Sequence, residues 1–326
     1  MLLFQDIYVI NLDRDGKKWH DMQQHLRKVL SSRRLDVHRF RAVDGSALDR
    51  SIIQKYTSPF CKNFCPKPVL GCALSHRGIW QMVVDKGLES VCVLEDDVTL
   101  DPQFEERLKL LAFEIPNHWD IVYLGCRGAC DSRRDYNILE KVWSMIGKVK
   151  GKQVSKHVFI PENPAGTYGY IISNQGARKL LGLTEQISFH IDVQIAQHMH
   201  QLNAYAIDPK LVYTSTIDST LATKRPFLLN TLTRNVEMAD GTTLSWLMSE
   251  PLMSIAEFPI SVWQLVYISS GMIASRTMDS TIRSLFYFSI YLLVDEVYGF
   301  AFFEDTTFSI GFIGLQLGLF SLGMMI

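Results

Sequence analysis

The sequence predicts an α/β fold: a mostly parallel twisted sheet flanked by helices, followed by a hydrophobic helical tail. Three observations carry this. The chain opens strand, helix, strand, the unit that begins a parallel sheet. An apolar, largely β-branched run, Val91-Cys92-Val93-Leu94, ends abruptly in Glu95-Asp96-Asp97, as a buried strand does when it leaves the core. The last quarter of the chain carries long runs without charge.

The opening unit is read from its periodicity. Ile7-Tyr8-Val9-Ile10-Asn11-Leu12 is a strand, and Asp13 to Gly16 is its turn. From Lys17 to Leu30, Trp19, Met22, Leu26 and Val29 recur at helical spacing on one face. Val37 to Val43 alternates as a second strand, stopped by Asp44-Gly45. No GxGxxG follows the first strand, so the dinucleotide grip is absent. Residues 44–70, with Pro59, Pro66 and Pro68, are expected to be loop. A helix follows from Gly71 to Val84, interrupted early by Ser75 and His76, and His76 reads either as a packing residue or as part of a donor site.

Beyond the acidic triplet, Asp101-Pro102 starts a helix that continues from Phe104 to Phe113. Trp119 to Gly125 is a strand, and residues 127–157 are rich in Lys and Arg: a solvated loop, or a basic lip for an anionic acceptor or a phospholipid surface. Gly166 to Ser173 is a strand, Ala177 to Leu183 a short helix, and Tyr205 to Asp208 and Leu211 to Tyr213 are expected to finish the sheet. Asp192 is one carboxylate inside the apolar run Phe189 to Ala196, so it either caps the helix that follows or faces the cleft as a base.

Composition bounds the function classes. The chain has 326 residues, 47% hydrophobic and 21% charged, enough for a sizeable core and unlike a disordered chain. A net charge of −1 gives no sign of nucleic-acid binding. It hides an asymmetry: residues 1–250 hold 31 Lys+Arg against 28 Asp+Glu, whereas residues 251–326 hold two against six. We therefore expect one domain over 1–250 and a separate tail over 251–326. Met1 to Phe4 runs straight into polar residues and a strand, with no secretory signal pattern. Six cysteines without such a signal suggest free thiols in a reducing compartment, with Cys72 and Cys92 in the core. Cys61/Cys65 and Cys126/Cys130 are too widely spaced, and lack the His partners, for a usual structural zinc.

In the tail, Phe258–Ser275 is uncharged over 18 residues and Thr306–Ile326 over 21, and a helix of the latter length spans about 30 Å, one hydrocarbon core. Gly311, Gly314, Gly318 and Gly323 form a small-residue stripe suited to close helix contacts. Two readings stand, core helices or membrane association. The second is expected, with the catalytic part at the cytoplasmic face of the membrane.

The triplet supplies the chemistry. Three adjacent carboxylates at a strand end repel one another, and a hard divalent cation with oxygen ligands offsets that repulsion. In open α/β sheets ligands sit at the carboxyl ends of strands. Asp97, assisted by Glu95 or Asp96, is the candidate cation ligand.

Several blocks in order also resemble glycosyltransferase family 25, which holds bacterial lipooligosaccharide galactosyltransferases and the related procollagen galactosyltransferases. They are Val9 to Arg14, Gly71 to His76 with Trp80, Leu94 to Asp97, Asp120 to Gly125, Gly169 to Ser173 with Gly176-Ala177, and Ile191-Asp192. The resemblance covers roughly residues 5–220 and leaves 251–326 outside. It implies a GT-A-like fold, a nucleotide-sugar donor and transfer with inversion. It places Glu95-Asp96-Asp97 on the family's metal-binding acidic motif and Asn11 and Arg14 at the first nucleotide-side strand end. The expected cofactors are Mn²⁺ or Mg²⁺ with a UDP-sugar, and the acceptor a lipooligosaccharide-type or other glycan. Charge that builds on the departing diphosphate would be neutralised at the triplet, and inversion requires a base, for which Asp192 is the candidate. Arg14, His76 and Lys224 are candidate diphosphate partners. The alternative is a non-catalytic membrane-associated protein that keeps a transferase-like domain for binding.

Overall fold

A computed structural model describes residues 3–30, 35–65, 67–130, 144, 147–214, 251–255, 258–277, 281, 282, 284 and 317–326. The chain forms two compact units, one of residues 1–58 and 67–218, the other of 59–66 and 219–326.

The first unit is built on one mixed sheet. Its elements are β1 (Asp6–Asn11), α1 (Gly16–Val29), β2 (Asp36–Arg41), α2 (Arg50–Tyr56), then α4 (Lys67–Asp85) after α3 (Pro59–Phe64) of the second unit. β3 (Ser90–Glu95), β4 (Val98–Leu100), α5 (Phe104–Leu111), β5 (Ile121–Ala129), β6 (Lys152–Gln153), β7 (Val158–Ile160) and β8 (Asn163–Ser173) follow. Then come α6 (Asn174–Leu183), α7 (Ile191–Gln197), β9 (Ala204–Ile207) and β10 (Val212–Thr214). The strand order is β2-β1-β3-β8-β5-β9-β7-β6. Six of these eight strands run one way; β8 and β7 are reversed. The mostly parallel sheet flanked by helices is therefore present, with a reversed strand at its centre.

The alternation of side chains decides the layers. Ile7, Val9, Cys92, Leu94, Val122, Leu124 and Ile171 pack with Met22 and Leu26 of α1 and Phe104 and Leu108 of α5. The opposite face carries Tyr170, whose hydroxyl accepts a 2.9 Å hydrogen bond from Trp80 Nε1 of α4. Each such fully buried large side chain contributes about 1.5–3 kcal/mol. β2 is one of the two edge strands, and it is charged: Arg39 and Arg41 both reach Asp13, at 2.9 and 2.5 Å.

Several expectations are corrected. Residues 44–70 are not loop. They hold a 3₁₀ turn (Gly45–Ala47), α2, α3 and the start of α4. Asp44 caps the 3₁₀ turn through the Ser46 amide at 2.9 Å, and Asp49 caps α2 through the Ile52 amide at 3.0 Å. β5 runs past Gly125 to Ala129, and β10 leaves the main sheet to pair with β4. The six cysteines are not all free thiols: Cys61–Cys65 and Cys126–Cys130 are disulfides, because a four-residue step brings their Cα atoms to 4.5 and 6.1 Å. Cys72 and Cys92 remain free.

The second unit contains a hairpin, β11 (Pro251–Ile255) with β12 (Phe258–Ser261), and the 16-residue helix α8 (Val262–Thr277). The uncharged run 258–275 is thus part strand and part helix. A second helical stretch covers 317–325. The two helices meet backbone to backbone: a Cβ on Gly271 would lie 2.1 Å from the Phe320 carbonyl oxygen, and one on Gly323 would lie 2.0 Å from that of Ile268. Gly318 faces open space, and Gly311 and Gly314 lie outside the described residues. Among the described residues no helix is long and apolar enough to cross a membrane.

Candidate active site at the end of β3

β3 delivers the acidic triplet to the carboxyl end of the sheet. Its residues Val91 to Leu94 are fully buried, paired with β1 on one side and β8 on the other, so the chain leaves the core only at Glu95. The turn to β4 then holds Asp96 and Asp97 close to the protein interior.

The three carboxylates have different environments. Asp96 Oδ2 accepts a 2.6 Å hydrogen bond from the Asn11 amide, and its other oxygen lies 3.8 Å from Lys18 Nζ. Asn11, 1% exposed at the end of β1, is itself held by Arg39 Nε, which donates to its Oδ1 at 2.8 Å. Burial pushes the Asp96 carboxyl above its ordinary range, and the Asn11 bond and Lys18 only partly restore it. Glu95 Oε1 lies 3.5 Å from Thr167 Oγ1 and 3.6 Å from His76 Nε2. Asp97 is the extreme case. Its Oδ1 is buried without a hydrogen-bond partner. Burial first, and the charges of Glu95 and Asp96 after it, drive its carboxyl far up, with Lys18 only partly opposing them.

A carboxylate with a bare buried oxygen, next in sequence to two more carboxylates, has an unmet demand for positive charge. The residues fit a divalent cation on that ground, and Asp97 with Glu95 would hold it.

α7 brings Asp192 to the same crevice. Its Oδ2 accepts from the Gly166 amide of β8 at 2.7 Å and its Oδ1 from the Val193 amide at 2.9 Å, which fixes the carboxylate plane and leaves a lone pair on each oxygen. Asp192 does not cap α7, whose N-cap position is His190. Glu95, Asp192 and Asp97 all lie near enough to the Cys72 thiol for their charges to add to the effect of burial, which holds that thiol well above its usual range. Burial likewise raises the Tyr123 phenol, with the Asp192 charge adding to it.

The predicted residues therefore divide. Asn11, Glu95, Asp96, Asp97, His76 and Asp192 converge on the carboxyl ends of β1 and β3, beside the amino-terminal half of the reversed strand β8. Arg14 is turned to Asp44, with which it forms an ion pair, and is half exposed. Lys224 lies outside the described residues, as does most of the basic stretch after residue 130. Sequence reasoning missed four participants: Cys72, placed in the core on composition but lining the crevice; Thr167 beside Glu95; Lys18 beside Asp96; and Arg39, which positions Asn11. The four-residue step from Cys72 to His76 along one helix was the available signal for the first.

The comparisons with known proteins fall on this same region. The model of glycosyltransferase family 25 (LPS biosynthesis protein) matches residues 4–195, from β1 through most of α7. The chain belongs to glycosyltransferase family 25. Among curated relatives, it is 28% identical over 236 residues to procollagen galactosyltransferase 1 of Danio rerio, covering 64% of this chain and 36% of that protein. It is 26% identical over 236 residues to procollagen galactosyltransferase 2 of Homo sapiens, covering 64% of this chain and 35% of the relative. It is 33% identical over 190 residues to the probable inactive glycosyltransferase 25 family member 3 of Rattus norvegicus, covering 55% and 30%. The chain thus spans about a third of the length of these relatives.

Proposed function

We propose that the first unit transfers a hexose, galactose or a close relative, from a UDP-sugar to a glycan acceptor, with inversion and with Mn²⁺ or Mg²⁺ as cofactor. The observation that carries this is the buried, partnerless Asp97 oxygen, on which the charges of Glu95 and Asp96 act. A cation held there would supply positive charge to the departing diphosphate. Asn11, held by Arg39, fixes Asp96 and so shapes the donor end of the site. Asp192, held by two backbone amides, is the group that takes the acceptor hydroxyl proton as the new glycosidic bond forms; its orientation is set before substrate binds. The galactosyltransferase names of the relatives support the sugar, and the triplet supports the metal.

A lipid-linked glycan is the acceptor we favour, met at a membrane surface. Leu265 and Ile273 of α8, and Leu317, Leu322, Met325 and Ile326, are exposed apolar side chains that suit such a surface. A second reading, donor binding without transfer, is favoured by the relative named as probably inactive.

The test is UDP release from UDP-galactose and UDP-glucose with Mn²⁺, read beside calorimetric UDP binding. Asp97→Asn is expected to lower turnover by about 10²–10³-fold and to abolish the Mn²⁺ dependence of UDP binding. Asp192→Asn is expected to lower kcat by about 10²–10⁴-fold with donor binding intact. UDP binding by the unaltered chain that ignores Mn²⁺ overturns the metal role; metal-dependent binding without any transfer selects the second reading.

A further inference from the structure

One face of α4 and the end of β3 bring together three unlike ligands. Cys72 Sγ, a His76 ring nitrogen and a Glu95 carboxylate oxygen all lie within 4.8 Å of one another. Cys72 and His76 are one helical turn apart, so the backbone of α4 holds both on the same side. His76 is 1% exposed, and its Nε2, aimed at this group, makes no hydrogen bond. The nearest carboxylate oxygen, Glu95 Oε1, stands off at 3.6 Å.

The other side of the ring is fully arranged. His76 Nδ1 lies 2.9 Å from the Tyr170 hydroxyl, which also accepts from Trp80 Nε1 at 2.9 Å. In the tautomer that carries its proton on Nδ1, the imidazole donates to Tyr170 and turns the bare Nε2 lone pair toward Glu95. That is the arrangement of a metal-ligating histidine with its outer-shell partner.

From this geometry we infer that Cys72, His76 and Glu95 form a binding site for a thiophilic divalent cation of the Zn²⁺ class, separate in ligand type from the all-oxygen demand of Asp97. A sulfur, a nitrogen and one carboxylate oxygen select zinc over manganese or magnesium. Zinc bonds of 2.0–2.3 Å place tetrahedral ligands about 3.5 Å apart, so the three atoms need to close by only about 1 Å. Cys72 binds as the thiolate, its proton passing to solvent, and the fourth position stays open, as in sites with three protein ligands. Glu95 belongs to both ligand sets. Where the transferase reading above holds, zinc draws Glu95 away from Asp97 and acts as an inhibitor of the Mn²⁺-dependent reaction.

The site itself is tested without donor, acceptor or turnover. The full chain, with its disulfides intact, is titrated with Co²⁺ and followed in the near ultraviolet. One equivalent should produce a thiolate-to-cobalt band that Zn²⁺ then removes. Cys72→Ser should abolish the band and weaken Zn²⁺ binding by more than about 100-fold, beyond the 10–100-fold expected of an outer-shell change such as Tyr170→Phe. X-ray absorption of the unaltered zinc-loaded chain gives the same answer independently of any variant's folding, as one sulfur at about 2.3 Å with the remaining ligands at about 2.0–2.2 Å. A first shell of oxygen and nitrogen alone, or a cobalt band that survives in Cys72→Ser, overturns the assignment.

Discussion

Two aspartates each keep a buried carboxylate oxygen at opposite ends of the same sheet, and they are treated in opposite ways. Asp120 precedes β5 at the end where β3 begins. It is 0% exposed, and its Oδ2 accepts from Lys179 Nζ at 2.6 Å and from the Asn203 amide at 2.8 Å. Asp97 follows β3 at the other end, among carboxylates of its own sign, with a bare buried Oδ1. Asp120 also keeps one bare oxygen, so the difference lies in the countercharge: an ammonium from α6 in direct contact at one end, and at the other only Lys18, which stands against Asp96 and offsets the Asp97 charge in part. The paired end holds the sheet and α6 together. The unpaired end stores an electrostatic cost that a bound cation would relieve.

The largest effect is expected where the pair is complete. Asp120→Ala strands the Lys179 ammonium and an amide; because Lys179 keeps a third of its side chain in solvent, the loss should sit near the lower end of the buried-pair range, about 3 kcal/mol. Denaturant unfolding measures it, and a loss under 1 kcal/mol would erase the contrast drawn above. Next comes the contact between α6 and the same strand end. A Cβ on Gly176 would lie 2.1 Å from the Asp120 carbonyl oxygen, so Gly176→Ala must push the helix off the sheet, at about 1–3 kcal/mol. Gly182, in the same helix, meets nothing within 4 Å, and Gly182→Ala should instead stabilise by about 0.5–1 kcal/mol. Two glycines of one helix thus report opposite signs.

At the unpaired end the sign reverses for a charged residue. Asp97→Asn removes a like charge from a buried cluster, so the metal-free chain should gain about 1 kcal/mol, a rise of about 2–4 °C in Tm. Mn²⁺ should raise the Tm of the unaltered chain and leave that of the variant unchanged. A destabilised metal-free variant would mean that Asp97 is held by contacts other than its neighbours' repulsion.

How much of this was legible before the fold depends on the distance over which a residue acts. The triplet was legible because its three charges are adjacent and follow an apolar run, and the strand–helix–strand opening because its periodicities are local. The Asn11–Asp96 bond joins residues 85 apart, and Glu95 meets Thr167 across 72, pairings that only the sheet order creates. Cys72 was placed in the core because its neighbours are apolar; what distinguishes it is Glu95, which arrives from β3. Residues 44–70 were read as loop on their prolines, although Asp44 and Asp49 are local helix caps that a closer reading would find. The hydrophobic tail is expected to be helical, whereas its first part pairs as β11 and β12.

The smallest expected effect separates the two kinds of carboxylate by pH. Burial raises the Glu114 carboxyl, but hydrogen bonds from His157 and Ser155 and from the His157 amide outweigh it and leave it below the ordinary range. A carboxylate lowered on folding gives stability that is present above its unfolded value, about 4.3, and is lost as pH falls through the folded one. Asp97, raised on folding, does the reverse: its ionisation costs stability as pH rises through the raised value, and acid relieves it. Measured as Tm against pH from 3 to 8 on the metal-free chain, Glu114→Gln should therefore flatten only the acid limb, since Glu114 ties the segment after α5 to the start of β7. Asp97→Asn should flatten only the decline on the neutral side. If both substitutions move the same limb, the two carboxylates share one environment and the contrast between a partnered and an unpartnered carboxylate fails.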